Sequence, residues 1–433
     1  MTSTGFYGWK LLAALWVILF MNLAFPLYGS SVINSYMVTD LGLDRRTLGL
    51  MFSVYMLMSG LPGPLVAICI NRMGVRYTLV LGSLFLISGA LTMALFVSTG
   101  PQAVLVFGVM IGHGVVTGGP LAAQTGVAFW FIRRRALAIA IILSAGGIGG
   151  FVAARVLNHL IAAAGGNWRV GWWLIAGLAC IAAVVAAVFV KDKPADIGQQ
   201  SDGGPQLRLS GESHGTKHKA GGGVYITHEE WTFADAAGTQ TLWLLMLCAV
   251  GFSAGLTQVM AHGIVHLQDL GHTADAAAKS FSIMVVSTLI GKLVLGVFGY
   301  RIEPRYLWAG ATAIFGVGMI VLVKATSAVD LYLYAVCLGA GFGGGLVCMM
   351  TVFSNFYGSK AYASVVGVTL AVQTTAGAIG SYVAGDFYER FGSYALAFNG
   401  AGVLCLAGAV LLLFLRPPAR TRAPVGSLSP SLP

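Results

Sequence analysis

The chain has 433 residues, 57% of them hydrophobic and only 9% charged, with a mean hydropathy of +0.82. A soluble domain carries roughly a quarter charged residues, so a soluble globular fold is excluded. The net charge of +10 raises nucleic acid or acidic lipid as partners; the placement of the charges along the chain argues against both.

Apolar stretches of about 20 residues recur, each long enough to cross about 30 Å of hydrocarbon as a helix. In chain order the predicted spans are 9–36, 48–70, 77–98, 103–130, 136–162, 171–190, 241–268, 279–300, 307–325, 330–356, 363–386 and 394–415. The first is too long for the apolar region of a signal peptide and has no clear small-residue cleavage site, so it reads as a retained helix. Between Lys191 and Gln240 the chain turns polar and Gly-rich, which predicts a flexible linker. His214, His218 and His228 lie in or beside it and read as solvated loop histidines. The expected organisation is a six-helix bundle over 1–190, a linker over 191–240, a second six-helix bundle over 241–416 and a tail over 417–433.

With the N-terminus inside, seventeen of the 25 Lys and Arg residues fall on inner segments and six on outer segments or rims. That asymmetry predicts both termini in the cytoplasm and makes the basic excess topogenic. The six cysteines (Cys69, Cys180, Cys248, Cys337, Cys348, Cys405) all lie in apolar runs without metal-ligand spacing and read as small core residues. Tyr7, Trp9, Trp168, Trp172, Trp173 and Trp308 sit near span ends, where an aromatic belt accounts for them.

The two halves repeat. Residues 145–155 read AGGIGGFVAAR and residues 376–386 read AGAIGSYVAGD, at a constant offset of 231. Arg72, Arg76 and Tyr77 recur as Arg301, Arg305 and Tyr306, and Gly112 and Gly114 recur as Gly339 and Gly341. Parallel repeats of six helices are the construction of major-facilitator carriers, which bind substrate at mid-membrane between the halves. Gly146, Gly147, Gly149 and Gly150 in the fifth span, and Gly341, Gly343, Gly344 and Gly345 in the tenth, allow close helix approach. A phosphate-binding loop is the weaker reading, because no strand precedes these glycines and no Lys-Ser/Thr ends them.

Two cations, Lys292 and Arg155, lie deepest in the apolar runs, and no carboxylate lies at mid-span. A charge at mid-bilayer is costly and marks function by default. Cations without buried counter-ions point to a substrate that brings the negative charge. Lys292 falls near the middle of the eighth span, by about 1.5 Å per residue. Arg155 falls in the outer part of the fifth, and the repeat makes Asp386 its symmetry mate, so the two form a candidate outer gate. An Arg meeting headgroups at the rim is the competing reading. His113, mid-way along the fourth span, is a candidate for substrate contact or proton coupling. Tyr28, Asn22, Gln258, His262 and Gln373 are candidate cavity-lining groups, against the alternative of helix–helix hydrogen bonds.

The segment GPLVAICINRMGVR (63–76) resembles the major-facilitator signature that ends Asp-Arg-x-Gly-x-Arg, with Asn71 in place of the Asp and Arg72, Gly74 and Arg76 matching. The resemblance assigns these four to a loop that latches during the conformational cycle, and Asn71 weakens its charge relay. GFYGWK (5–10), FWFIRRRALAIAIILSAGGIGG (129–150) and HGIVHLQDLG (262–271) resemble segments of the monocarboxylate-transporter family and its bacterial relatives. That family has a carboxylate-gripping Arg on helix 8; Lys292 in GKLVLG (291–296) occupies its position. A Lys keeps the charge and three donors but loses the bidentate fork. Thr288 stands where animal members have an Asp, Leu27 follows Pro26 where they have a Lys, and residues 365–382 lack the second cation of oxalate exchangers.

The expectation is an all-α protein of twelve transmembrane helices in two bundles with the major-facilitator fold. It is expected to carry a small organic monocarboxylate such as lactate or pyruvate, with proton symport. Organic-anion exchange, or carriage of a neutral or vitamin-like molecule, are the alternatives. Catalysis, cofactors, metal and nucleic acid are not expected. The expected setting is a bacterial inner membrane, with the protein as a monomer and its partners the substrate, a proton and lipid.

Overall fold

The protein is described by a computed structural model covering residues 6–43, 45–202, 224–227, 229–299 and 301–419. The polar backbone inside a bilayer has to satisfy itself, and the long apolar runs do so as helices. They are α1 (Gly8–Leu41), α2 (45–73, interrupted at 59–62), α3 (75–95), α4 (Gly100–Trp130), α5 (Arg135–Ala163), α6 (Arg169–Phe189), α7 (Gln240–Asp269), α8 (Ala274–Phe298), α9 (Pro304–Val323), α10 (328–357), α11 (359–391) and α12 (Ala395–Phe414). Each meets its predicted span to within a few residues. The helices form two six-helix bundles, α1–α6 and α7–α12.

Helices α2 and α3 run into one another with Gly74 alone as the turn (φ 86°, ψ 172°), and α10 runs into α11 through Gly358 (φ 70°, ψ 176°). Glycine alone takes that backbone without strain. A Cβ on Gly74 would also lie 2.5 Å from the Asp192 carboxylate. Both turns are at the end of the molecule that carries the linker.

The repeated glycines make equivalent contacts in the two bundles. A Cβ on Gly149 of α5 would press on Ala24 of α1 at 2.5 Å, and one on Gly380 of α11 would meet Ala254 of α7 at 3.0 Å. Gly112 of α4 faces Met58 and Tyr55 of α2, as Gly339 of α10 faces Met284 and Ser287 of α8. Between lipid-embedded helices no hydrophobic effect drives association, so such close backbone contact supplies the attraction. A tight case against backbone is Gly343, where an added Cβ would lie 1.9 Å from the Thr288 carbonyl of α8. Backbone cannot yield as a side-chain tip can, so Gly343→Ala is expected to cost about 1–3 kcal/mol. A lower melting temperature of the purified protein in detergent checks this; unchanged melting would refute the close packing of α8 on α10.

Helix α1 widens to π-helical geometry over Phe20–Gly29, around Pro26. Such widened turns recur at functional sites, and this one presents Asn22 and Tyr28.

The described ends of the linker are held by specific contacts. Asp192 accepts the Arg76 N–H (2.8 Å), and Pro194–Ile197 form a 3₁₀ turn. Asp202 accepts the N–H groups of Ile132 (2.5 Å), Arg133 (2.8 Å) and Arg134 (2.8 Å) ahead of α5, where a helix N-terminus favours a negative charge. On the second bundle Tyr225 N–H donates to Glu303 (2.6 Å), Thr227 N–H to the Asn355 carbonyl (2.8 Å), and Lys360 pairs with Glu230 (3.0 Å). Burial pushes the Glu303 carboxyl above the usual range, against the opposing pull of that N–H and of Arg305. Side-chain capping, which a hydropathy reading does not register, fastens both linker ends. Residues 203–223 and 228, with the three linker histidines, and residues 420–433 of the tail lie outside the described residues.

Candidate functional site

Lys292 is half-buried on the face of α8 turned toward α5. Its Nζ donates to the Leu143 carbonyl at 3.5 Å. On the same α8 face, Gly296 meets Ala140 and Gly299 meets Ala136, with added Cβ atoms at 2.3 and 2.6 Å. The stripe 292–296–299 therefore runs antiparallel to 143–140–136, and Lys292 stands where it opens. Its three donors have one acceptor, at the limit of hydrogen-bond length. Ion pairs among the described residues join Arg169–Asp40, Lys279–Asp275, Lys360–Glu230 and Arg390–Asp386, not Lys292. An ammonium so placed has donors free for an anion.

Tyr28 shares the α5 face used by Lys292. Its ring lies 2.9 Å from where a Gly150 Cβ would be, and Leu23 lies 3.4 Å from that of Gly146. Leu289 of α8 approaches Gly147. The missing side chains of Gly146, Gly147 and Gly150 thus let Leu23 and Tyr28 of α1 and Leu289 of α8 pack onto α5, with Tyr28 on one flank and Lys292 on the other.

The other expected polar groups are engaged elsewhere. Asn22 is fully buried and donates to Ser83 (2.8 Å) and the Gly118 carbonyl (3.3 Å), tying α1 to α3 and α4. His113 meets the Phe85 ring edge-on at 4.9 Å, which turns it toward α3. His262 donates to the Ser381 carbonyl (3.0 Å) and stacks on Tyr394. Gln373 donates to the Ala249 carbonyl (3.3 Å), so His262 and Gln373 join α7 to α11. Gln258 is buried with its Oε1 unpartnered. Intramembrane polar groups find neighbouring backbone when no ligand is near. Arg155 is exposed and lies over the Phe151 ring at 4.3 Å, while Asp386 pairs with Arg390 at 2.9 Å, each partner being on its own helix.

A second group at the linker end joins Arg135, Asn355, Tyr362, Gln124 and Ser364, which the sequence did not single out, to the signature loop, which it did. Arg135 is buried and donates to the Phe131 and Ala128 carbonyls (2.9 and 3.0 Å) and, across to α10, to Asn355 Oδ1 (3.0 Å). The Tyr362 hydroxyl of α11 donates to Gln124 Oε1 of α4 (3.0 Å). Asn71 of the signature loop donates to Ser364 Oγ of α11 (2.9 Å). Arg76 lies over Tyr77, and Arg72 is exposed. The three cross-bundle bonds gather beside the Gly74 and Gly358 turns. Nothing in the run Arg133–Arg134–Arg135 marks its third member in advance; helical phase alone turns it inward.

The family model for the Major Facilitator Superfamily matches residues 12–381 and 247–430. Monocarboxylate transporter 4 of Gallus gallus is 24% identical over 420 residues, covering 94% of this chain and 82% of that protein. Monocarboxylate transporter 12 of Homo sapiens is 25% identical over 371 residues, covering 82% and 70%. Among solved structures, the fucose:proton symporter of E. coli superposes with a TM-score of 0.72 at 13% identity, covering 96% of this chain and 100% of that one. With the two bundles, the repeat and the cation between them, these matches make the chain a multi-pass membrane transporter, not an enzyme, that belongs to the Major Facilitator Superfamily.

Proposed function

We propose that the protein carries a small organic monocarboxylate of the lactate or pyruvate class, by alternating access, across a bacterial inner membrane. The observation that carries this reading is Lys292, an ammonium between the bundles with unspent donors and no carboxylate partner among the described residues. The likeness to monocarboxylate transporters supports it. The substrate carboxylate supplies the missing charge, and Tyr28 flanks it. His113, Asn22, Gln258, His262 and Gln373 contribute through helix packing in the present conformation and by exposure in another.

With both termini cytoplasmic, the linker end is the inner end. The bundles over 1–190 and 241–416 then rock about Lys292, and bonds such as Arg135–Asn355 close the inner side while the site opens outward. The signature loop of Asn71, Arg72, Gly74 and Arg76 latches that closure through Asn71 and Ser364. When the cavity faces inward, Arg155 and Asp386 exchange their own-helix partners for each other. Arg155→Asp and Asp386→Arg are each expected to lower transport at least tenfold, and the double exchange to recover most of it. A double variant as inactive as the singles would dismiss the outer gate.

The function itself is tested by uptake of a panel of labelled acids into proteoliposomes, with and without an imposed pH gradient. Uptake of a monocarboxylate that accumulates with an inward proton gradient is the expected result. Uptake only against a preloaded anion would make the protein an exchanger. Movement of a neutral solute but no acid would refute the reading.

A further inference from the structure

An apolar cavity of about 140 Å³ lies beside the Lys292 site, walled by Leu23 and Leu27 of α1, Tyr55, Met56 and Ser59 of α2, Val115, Val116, Pro120 and Leu121 of α4, and Leu370 of α11. It is a half-open pocket, walled mostly by the first bundle and by Leu370 of the second. Toward the linker end, α2 and α11 close it. There an added Cβ on Gly60 would strike Thr374, and one on Gly63 would lie 2.3 Å from the Gly367 carbonyl. The wall is mainly apolar: Ser59 Oγ is spent on the Met56 carbonyl (2.8 Å), and among the described residues the Tyr55 hydroxyl is the one wall polar group left buried without a partner. A dry cavity of about 150 Å³ lined by aliphatic and aromatic groups accepts a benzene-sized guest.

The cavity and the cation are linked through Leu23 of α1. Leu23, in the wall, packs on Gly146 of α5, one turn beyond the Leu143 carbonyl that Lys292 touches. Leu23 thus bridges the cavity wall and the α5 turn next to Lys292, a separation of one helix diameter, about 10 Å. A lactate-sized molecule held at Lys292 leaves the cavity empty. A longer acid places its carboxylate on Lys292 and its hydrocarbon in the cavity.

Building on the monocarboxylate reading, we propose that the preferred substrate bears a branched or aromatic hydrocarbon tail up to the size of a phenyl ring, and that this cavity selects it. Apolar area removed from water is the source of the preference.

The test compares labelled pyruvate and phenylpyruvate in proteoliposomes containing the full chain. The expected result is a KM at least tenfold lower for phenylpyruvate. Val116→Phe and, separately, Leu370→Trp fill the cavity from opposite bundles and bring the ratio of the two KM values close to one. Use of two variants guards against one that fails to fold, and circular dichroism with size-exclusion chromatography reports folding. Equal handling of the two acids, a preference for pyruvate, or a preference that survives both fillings overturns the tail proposal and leaves the monocarboxylate reading standing. Transport of neither acid overturns both.

Discussion

Lys292→Gln is expected to abolish saturable uptake of the carboxylate substrate while leaving the protein folded. Gln matches the side chain in length closely enough to keep contact with α5, so packing is preserved and the charge is removed. Truncating one partner of a buried, hydrogen-bonded charge pair costs about 2–5 kcal/mol, which is on the order of 30-fold or more in affinity. The loss falls on KM if the ammonium grips the substrate equally throughout the cycle, and on the maximal rate if its grip tightens as the bundles rock. Lys292→Arg tests geometry separately. The guanidinium restores the charge and adds a planar fork, but is bulkier and must fit beside Leu289 at Gly147. Arg is expected to retain a measurable fraction of uptake and Gln none. Wild-type uptake by Lys292→Gln, measured on the same labelled acid at matched protein density, would remove the anion from the proposal.

Much of the fold was legible because a bilayer leaves few options. A run of about 20 apolar residues must be a helix there, so the spans followed from composition. The repeat followed from glycines whose offset was constant, and the structure supplies the cause: Gly149 on α1 and Gly380 on α7 are one contact made twice. Less legible were groups whose role depends on helical phase. Asn22 and His262 were visible as intramembrane polar residues, but only coordinates reveal that each has a partner on a neighbouring helix. Arg135 stood in a basic cluster that topology alone explained, and its burial depends on the angle at which α5 begins. Asp192 and Asp202 sat in a polar linker whose composition indicated looseness, and their caps on backbone N–H groups are contacts between segments far apart in sequence. Lys292 was legible because its rarity, depth and lack of nearby acids are all properties of the sequence.

Arg135→Met is expected to open the linker end, and Asn355→Asp to hold it shut. Arg135 makes two bonds to carbonyls of its own bundle and one, to Asn355 Oδ1, across the interface. Only the last distinguishes a closed linker end from an open one. A hydrogen bond to a charged group is worth about 1.5–3 kcal/mol, so its removal shifts the closed-to-open ratio by roughly 10- to 150-fold. The two carbonyls lose a donor in either state and lower stability without biasing the equilibrium. Asn355→Asp turns the cross-bundle contact into an ion pair while retaining the acceptor geometry, so it biases the ratio the other way and slows turnover. Spin labels at Arg133 and Lys360, in a cysteine-free background, report the distance across the linker end. The expected distance distribution moves to longer separations for Arg135→Met and narrows at the short separation for Asn355→Asp. Both variants should transport more slowly than the parent, because alternation needs neither state to be favoured far beyond the other. Identical distributions in all three proteins would show that the linker end is held closed by packing of α2 on α11 and α5 on α8 instead of by this bond.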